Sequence, residues 1–247
     1  MSAIPANAYI IIIGAMKAGT SFLYSLLAQH PAICACSIKE PEYFSERYAP
    51  GHGLSPNEKK QRRYESLWNF DPTVHRYALE TSTGYSKFPR EREVAARMVR
   101  YGIKPKIIYI VRDPVERVLS HYRFAHITGK VNPAAPPTDN GYVDFSRYHM
   151  QLDQYRPHFS VDELMIVDFD ELTQRTQSTV DGIIERLSLP HMVIDRAHAE
   201  QHETPPIELA ALSDLESVKS QLREKLADDM HCFARDYHFP VQKWGFT

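Results

Sequence analysis

"YIIIIGAMKAGTSFLYSLLAQHP", Tyr9 to Pro31, is the stretch whose reading decides the fold. The apolar run from Tyr9 to Ile13 stops at Gly14, as a strand buried on both faces of a parallel sheet does. From Thr20 onward the period changes. Leu23, Leu26 and Leu27 fall on one helical face, and Pro31 closes the segment. Gly14, Lys17 and Gly19 therefore occupy a strand-to-helix turn. A helix N-terminus offers unpaired backbone N–H groups and the positive end of the helix dipole, so this turn is a seat for an anion.

Outward from that unit, the pattern alternates. "YALETST" reads as a short second strand. "EREVAARMVRYG" reads as a helix with Val94, Met98 and Tyr101 on one face and Gly102 as its stop. "PKIIYIVRDP" is a buried strand. "DPVERVLSHYRFA" is a helix with Asp113 as N-cap, Pro114 at its first position, and a stripe of Val115, Val118, Leu119 and Tyr122. Leu164–Val167 gives another strand, and "TVDGIIERLSLP" a helix with Val180, Ile183, Ile184 and Leu187 inward. A last helix is expected from about Glu208 to about Asp229, on the stripe Leu209, Leu212, Leu215, Val218, Leu222 and Leu226. The Gly-, Pro- and Asn-rich stretch Gly129–Tyr142 reads as a long exposed loop of the kind that forms lids or binding loops. No internal repeat appears. The alternation predicts an α/β fold, P-loop-like, three layers of α/β/α around a mostly parallel central sheet, in a single domain over residues 1–247. Ligands of such sheets bind at the carboxyl ends of the strands.

The composition sets limits. With 43% hydrophobic and 24% charged residues the chain reads as a soluble globular domain. A net charge of -2 supplies no global basic field for nucleic acid. The cysteines Cys34, Cys36 and Cys232 suit neither a disulfide framework nor a four-ligand zinc site, which predicts reduced thiols and a cytoplasmic location. "YIIII" is too short for a signal peptide's apolar core or a membrane span. The oligomeric state has no sequence signature here.

Three polar clusters fall at expected strand ends: Lys17 to Ser21, Glu80 to Ser82, and Arg112–Asp113. The first keeps the glycine spacing of the ATP and GTP loop, G-x-x-x-x-G-K-[ST], but puts Thr20 where the lysine belongs and a lysine early, at Lys17. A lysine on the loop itself reaches an oxygen that bridges a phosphate and its transferring group. The N–H groups of Ala18, Gly19, Thr20 and Ser21 would cradle one phosphate, with no metal required. Arg112 ends a strand and Ser120 lies on the following helix, so the pair can clamp a second phosphate. Against this, Arg112 can equally pair with a neighbouring carboxylate. In "IKEPEYFSE", Glu40 offers a carboxylate able to take a proton from a hydroxyl or amine, although glutamates of charged loops are mostly inert.

In this order, these clusters resemble the sulfotransferases that use 3′-phosphoadenosine 5′-phosphosulfate (PAPS), and are closest to the heparan-sulfate-type branch, bacterial members with a KEP motif included. "IIIGAMKAGTSFLYSLLAQHP" is similar to that family's 5′-phosphosulfate loop, "YIVRDPVERVLSHY" to its 3′-phosphate motif, and "KEPEYF" to the segment with its catalytic glutamate. "FSRYHMQLDQYRPHF", "LMIVDFDEL" and "IIERLSLP" follow the family's later order. The resemblance implies Glu40 as base, Lys17 on the bridging oxygen, Ala18 to Ser21 on the 5′-phosphate, and Arg112 and Ser120 on the 3′-phosphate. It also implies PAPS as donor cosubstrate, no metal, and a small-molecule or glycan acceptor. Glu80 and Tyr148 are expected on the acceptor side. Two departures stand out. Thr81 occupies a position where that branch usually has a lysine, and "DRAHAEQHETPPIEL" replaces a basic, glycine-containing segment.

Two rivals remain open on the sequence. A P-loop kinase or NTPase would use Asp168, at the end of "LMIVD", on magnesium. A non-catalytic nucleotide-binding protein would keep the fold alone.

Overall fold

The computed structural model describes residues 4–46, 53–129, 135–199 and 212–247. Its centre is a sheet of five strands, β1 (Tyr9–Gly14), β2 (Ile33–Ala35), β3 (Tyr77–Thr81), β4 (Lys106–Val111) and β5 (Leu164–Asp168). Their spatial order is β2-β3-β1-β4-β5, and every pairing is parallel. β1 lies between β3 and β4, which explains its unbroken apolar run: every one of its residues is buried. The sequence reading lacks β2, a three-residue edge strand too short to show a period.

The helices are α1 (Thr20–Leu27), α2 (Pro56–Gln61), α3 (Val94–Tyr101), α4 (Pro114–Ile127), α5 (Asn140–Val143), α6 (Tyr148–Asp153), α7 (Phe169–Gln174), α8 (Thr176–Arg186) and α9 (Leu215–Tyr237). α1 packs on β1 and β3, and α9 packs on α4 and α6. Asp113 caps α4 as expected, its carboxylate accepting from the N–H groups of Val115 (2.8 Å) and Glu116 (3.2 Å). Gly102 ends α3 in the left-handed conformation, φ 94°.

Two expectations change. The long loop Gly129–Tyr142 lies partly outside the described residues, and its end coils into α5, capped by Asp139, with Tyr142 and Val143 buried. The sequence places the last helix over about 208–229; residues 208–211 fall outside the description, Leu212 and its neighbours precede a helix that starts at Leu215 behind its N-cap Asp214, and α9 continues past Asp229 to Tyr237 because its buried row of Leu222 and Leu226 extends through Met230 and Phe233.

Register gathers the functional clusters. Ile12 is level with Thr81, Gly14 with Tyr109, and Val111 with Asp168, so the carboxyl ends of β1, β3, β4 and β5 form one edge. After β3 the chain turns through a 3-10 helix, Thr83–Ser86, that lies against β1. Ser86 Oγ donates to Ile13 O at 2.7 Å. A Cβ on Gly14 would fall on that hydroxyl, and Gly14 has φ 147°, so only glycine fits where strand gives way to loop.

Candidate active site

The loop between β1 and α1 is a closed turn. Ala18 N–H donates to Ala15 O at 3.0 Å, so this amide closes the turn and is not one of those offered to a ligand. α1 has Gly19 as N-cap, in the left-handed conformation and without a side-chain cap. Among the described residues no hydrogen bond engages the amides of Gly19, Thr20 or Ser21. They form the first-turn donors of the helix, at its positive end. Gly19 is pressed against Phe169, whose ring carbons an added Cβ would meet at 3.2 Å.

Lys17 sits on this loop at φ 71°, a backbone conformation uncommon for a non-glycine residue. Its ammonium lies 4.4 Å from the centre of the Phe124 ring. Phe124 is one helical turn beyond Ser120 on α4, so the lysine reaches the same helix face as Ser120. Burial and the neighbouring Arg112 cation lower the Lys17 pKa. Arg112 donates to Lys17 O at 3.3 Å and stacks 4.8 Å above Phe169. No carboxylate pairs with it among the described residues. The loop and Arg112 thus bring two cations together beside α4, Lys17 over Phe124 and Arg112 on the Lys17 carbonyl.

Arg117 carries no obvious sequence signal, because it falls opposite the apolar stripe of α4. It is nevertheless fully buried. It donates to Met16 O (3.3 Å), Tyr142 O (2.6 Å) and Ser146 Oγ, tying the β1–α1 loop to the segment around α5. Desolvation pulls its pKa down to about 10.

Glu40 lies on the loop after β2, half-buried, and accepts a hydrogen bond from Thr83 Oγ1 at 3.0 Å. Thr83 opens the 3-10 turn that rests on β1, so the glutamate is joined to the base of the β1–α1 loop. Glu80 and Tyr148 are placed differently from the acceptor-side positions expected of them. Tyr148 is 0% exposed, and its hydroxyl donates to Arg112 O (2.7 Å) and accepts from Arg112 N (3.3 Å), bracing that residue's backbone. Glu80 is also 0% exposed. It accepts hydrogen bonds from Tyr64 OH and from Ser82 Oγ (2.6 Å), beneath a cluster of Tyr9, Tyr64 and Trp68. Neither side chain is open to a ligand in this structure.

Burial drives the Glu80 pKa up to about 7, against the hydrogen bonds that favour its ionised form. Its contribution to stability is complete below the ordinary 4.5 and is lost as pH rises through about 7, because the folded state holds the proton longer. The wild type should therefore lose on the order of 3 kcal/mol more than Glu80→Gln between pH 4.5 and 8. Asp229, raised to about 6 by burial, slopes the same way but is common to both proteins and cancels. Parallel denaturation curves across that range would show that Glu80 does not hold a proton in the fold.

Asp168 is engaged elsewhere. Its carboxylate caps α7 through Asp170 N (2.9 Å) and pairs with the Lys243 ammonium. Among the described residues no group of His, Cys, Asp and Glu has the arrangement of a metal site.

The model of the sulfotransferase domain family matches residues 8–221, most of the chain and all of this site. The chain belongs to the sulfotransferase family. The membrane-associated sulfotransferase kil1 of Dictyostelium discoideum is 36% identical over 126 residues, covering 51% of this chain and 25% of that protein. The human heparan sulfate glucosamine 3-O-sulfotransferase 5 is 26% identical over 195 residues, covering 73% of this chain and 53% of the relative. The chain thus spans about a quarter to a half of the length of these two curated relatives. Among solved structures, a sulfotransferase from Alicyclobacillus acidocaldarius superposes with a TM-score of 0.70 at 20% identity, over 98% of this chain and 100% of that one. The sulfotransferase domain of the curacin biosynthetic pathway superposes with a TM-score of 0.59 at 14% identity, over 96% and 99%. At these identities the superpositions speak for the fold. No helix among the described residues is long and apolar enough to cross a membrane.

Proposed function

We propose that this sulfotransferase moves a sulfuryl group from PAPS to a hydroxyl or amine of a glycan or small-molecule acceptor, in the cytoplasm. The observation that carries the reading is the pair of neighbouring cations, in which Arg112 donates to the backbone of Lys17 while the lysine ammonium lies over Phe124, one turn beyond Ser120 on α4. One nucleotide bearing two separate phosphates suits such a pair. Gly19, Thr20 and Ser21 amides hold the 5′-phosphate; Arg112 and Ser120 hold the 3′-phosphate.

Glu40 takes the acceptor proton as the acceptor oxygen or nitrogen bonds to sulfur. The bond from sulfur to the bridging phosphate oxygen breaks, its electron pair stays on that oxygen, and Lys17 with the helix N-terminus stabilises the charge. These donors stand in place before reaction, so no reorganisation is needed as charge moves. The heparan sulfate in the names of several relatives favours a glycan acceptor.

Thermal denaturation tests the donor assignment. PAPS or adenosine 3′,5′-bisphosphate should raise the melting temperature, since either binds only the folded state. ATP should do much less, and EDTA should change nothing. Equal, magnesium-dependent shifts with ATP and the bisphosphate would favour a kinase or NTPase instead. Against that reading, Asp168 already has a cation, Lys243, on its carboxylate.

A further inference from the structure

Glu42, two residues after Glu40, has a role that the sequence does not announce. The two glutamates have φ 50° each, in the left-handed region that non-glycine residues rarely adopt. A loop with two such residues keeps its shape only where its surroundings over-determine it. Those surroundings are the end of β3. Glu42 Oε1 accepts from Gly84 N at 2.7 Å, and Oε2 from Ser45 Oγ at 2.5 Å. Glu42 N donates to Ser82 Oγ at 3.0 Å, and Ser82 Oγ in turn donates to the buried Glu80 at 2.6 Å. One turn further on, Phe44 N donates to Tyr85 OH at 3.1 Å. The carboxylate lies so close over Gly84 that an added Cβ would land on it.

We infer that Glu42 is a positioning residue: its carboxylate, docked on the Gly84 amide, locks the 40–45 loop against the end of β3 and so aims Glu40 at the acceptor. This rests on the proposed role of Glu40 as base. Glu42 does not itself touch the reacting atoms. Both its carboxylate oxygens are occupied by donors of the protein, whereas Glu40 has one hydrogen bond, from Thr83, among the described residues. Gly84 is glycine because the docked carboxylate needs the space, which makes the pair separable by mutation.

The test measures release of inorganic sulfate from PAPS with water as acceptor, so that no natural acceptor is needed. The water oxygen bonds to sulfur, the sulfur–phosphate oxygen bond breaks, and Glu40 takes the water's proton. Glu42→Ala and Gly84→Ala should each lower kcat at least 10-fold while affinity for adenosine 3′,5′-bisphosphate stays within 2-fold. Glu42→Gln keeps an acceptor oxygen for Gly84 N–H and should retain most of the rate. The double variant Glu42→Ala/Gly84→Ala should be no slower than Glu42→Ala, since the clash has lost its partner. A Glu42→Gln protein as slow as Glu42→Ala, or fully additive losses, would overturn the inference. Amide hydrogen exchange supplies a readout independent of turnover. Peptides covering 40–45 should exchange faster in Glu42→Ala, with β1 and β4 unchanged; unaltered exchange there sinks the inference whatever the rates do. Wild-type protein that neither binds the bisphosphate nor releases sulfate would count against the proposed function instead.

Discussion

Glu40→Gln should cut turnover about 10²–10⁴-fold, the usual worth of a positioned general base, and leave bisphosphate affinity near wild type. The substitution keeps the size of the side chain and an oxygen for Thr83 Oγ1. Lys17→Ala should lower turnover as well, but it should also weaken PAPS. Its ammonium already lies over Phe124, beside Arg112, before any reaction. Two variants that agree in lost rate and differ in donor affinity would separate base from charge stabiliser. His121 is the natural competitor for the base, standing next to Ser120. Burial, followed by the nearby cations Arg117, Lys87 and Lys17, pushes its pKa well below the ordinary value of 6.5. Its Nδ1 is buried without a hydrogen-bond partner among the described residues, and the ring lies between Tyr142 and Phe145. An imidazole so reluctant to become charged is a weak proton acceptor. Full turnover in Glu40→Gln, measured by sulfate release from PAPS, would nonetheless return the role to another group and remove the catalytic glutamate from the mechanism.

Arg112→Ala should weaken adenosine 3′,5′-bisphosphate by about 1.5–3 kcal/mol, roughly 10- to 150-fold, the cost of removing one partner of a charge-assisted hydrogen bond. Adenosine 5′-phosphosulfate lacks the 3′-phosphate and should be nearly indifferent. Titration calorimetry with the two nucleotides makes the comparison. The contrast is needed because Arg112 also holds Lys17 O, so its removal can disturb the anion loop itself. If both nucleotides lose affinity equally, the arginine acts through the loop and not on the 3′-phosphate.

Several residues of the site were legible because their signals are local. Gly14 and Gly19 flank a loop between an apolar run and a 3.6-period stripe, and that context follows from neighbours in sequence. Asp113 before Pro114 announces a helix start, and α4 begins there. Ala18 shows the limit of such reading. It lies in the right turn, but whether its amide faces a ligand or closes the turn onto Ala15 depends on the path of the backbone.

Long-range packing decided the rest. Tyr148 is in a polar, aromatic-rich segment expected on the acceptor side, yet α9 packs on α6 and the tyrosine lies under Arg112. Arg117 lies opposite the apolar stripe of its helix and is buried because α4 is covered on more than one side, by α5 and α9 among others. Glu80 has a strand position that alternation alone would allow to face either way; its level with Ile11 in the centre of the sheet, and Tyr64 arriving from the 3-10 helix Tyr64–Leu67, put it in the core. The sequence by itself therefore determined the order of β1, β3, β4 and β5 and of the longer helices, the strand-to-helix turn after β1 and the residue types at the strand ends, since periodicity, capping and glycine conformations act over a few residues. Only the tertiary structure decided which of those polar groups stay accessible at the strand ends and which are buried as struts beneath them, because burial and hydrogen-bond partners are set by segments far apart in the chain.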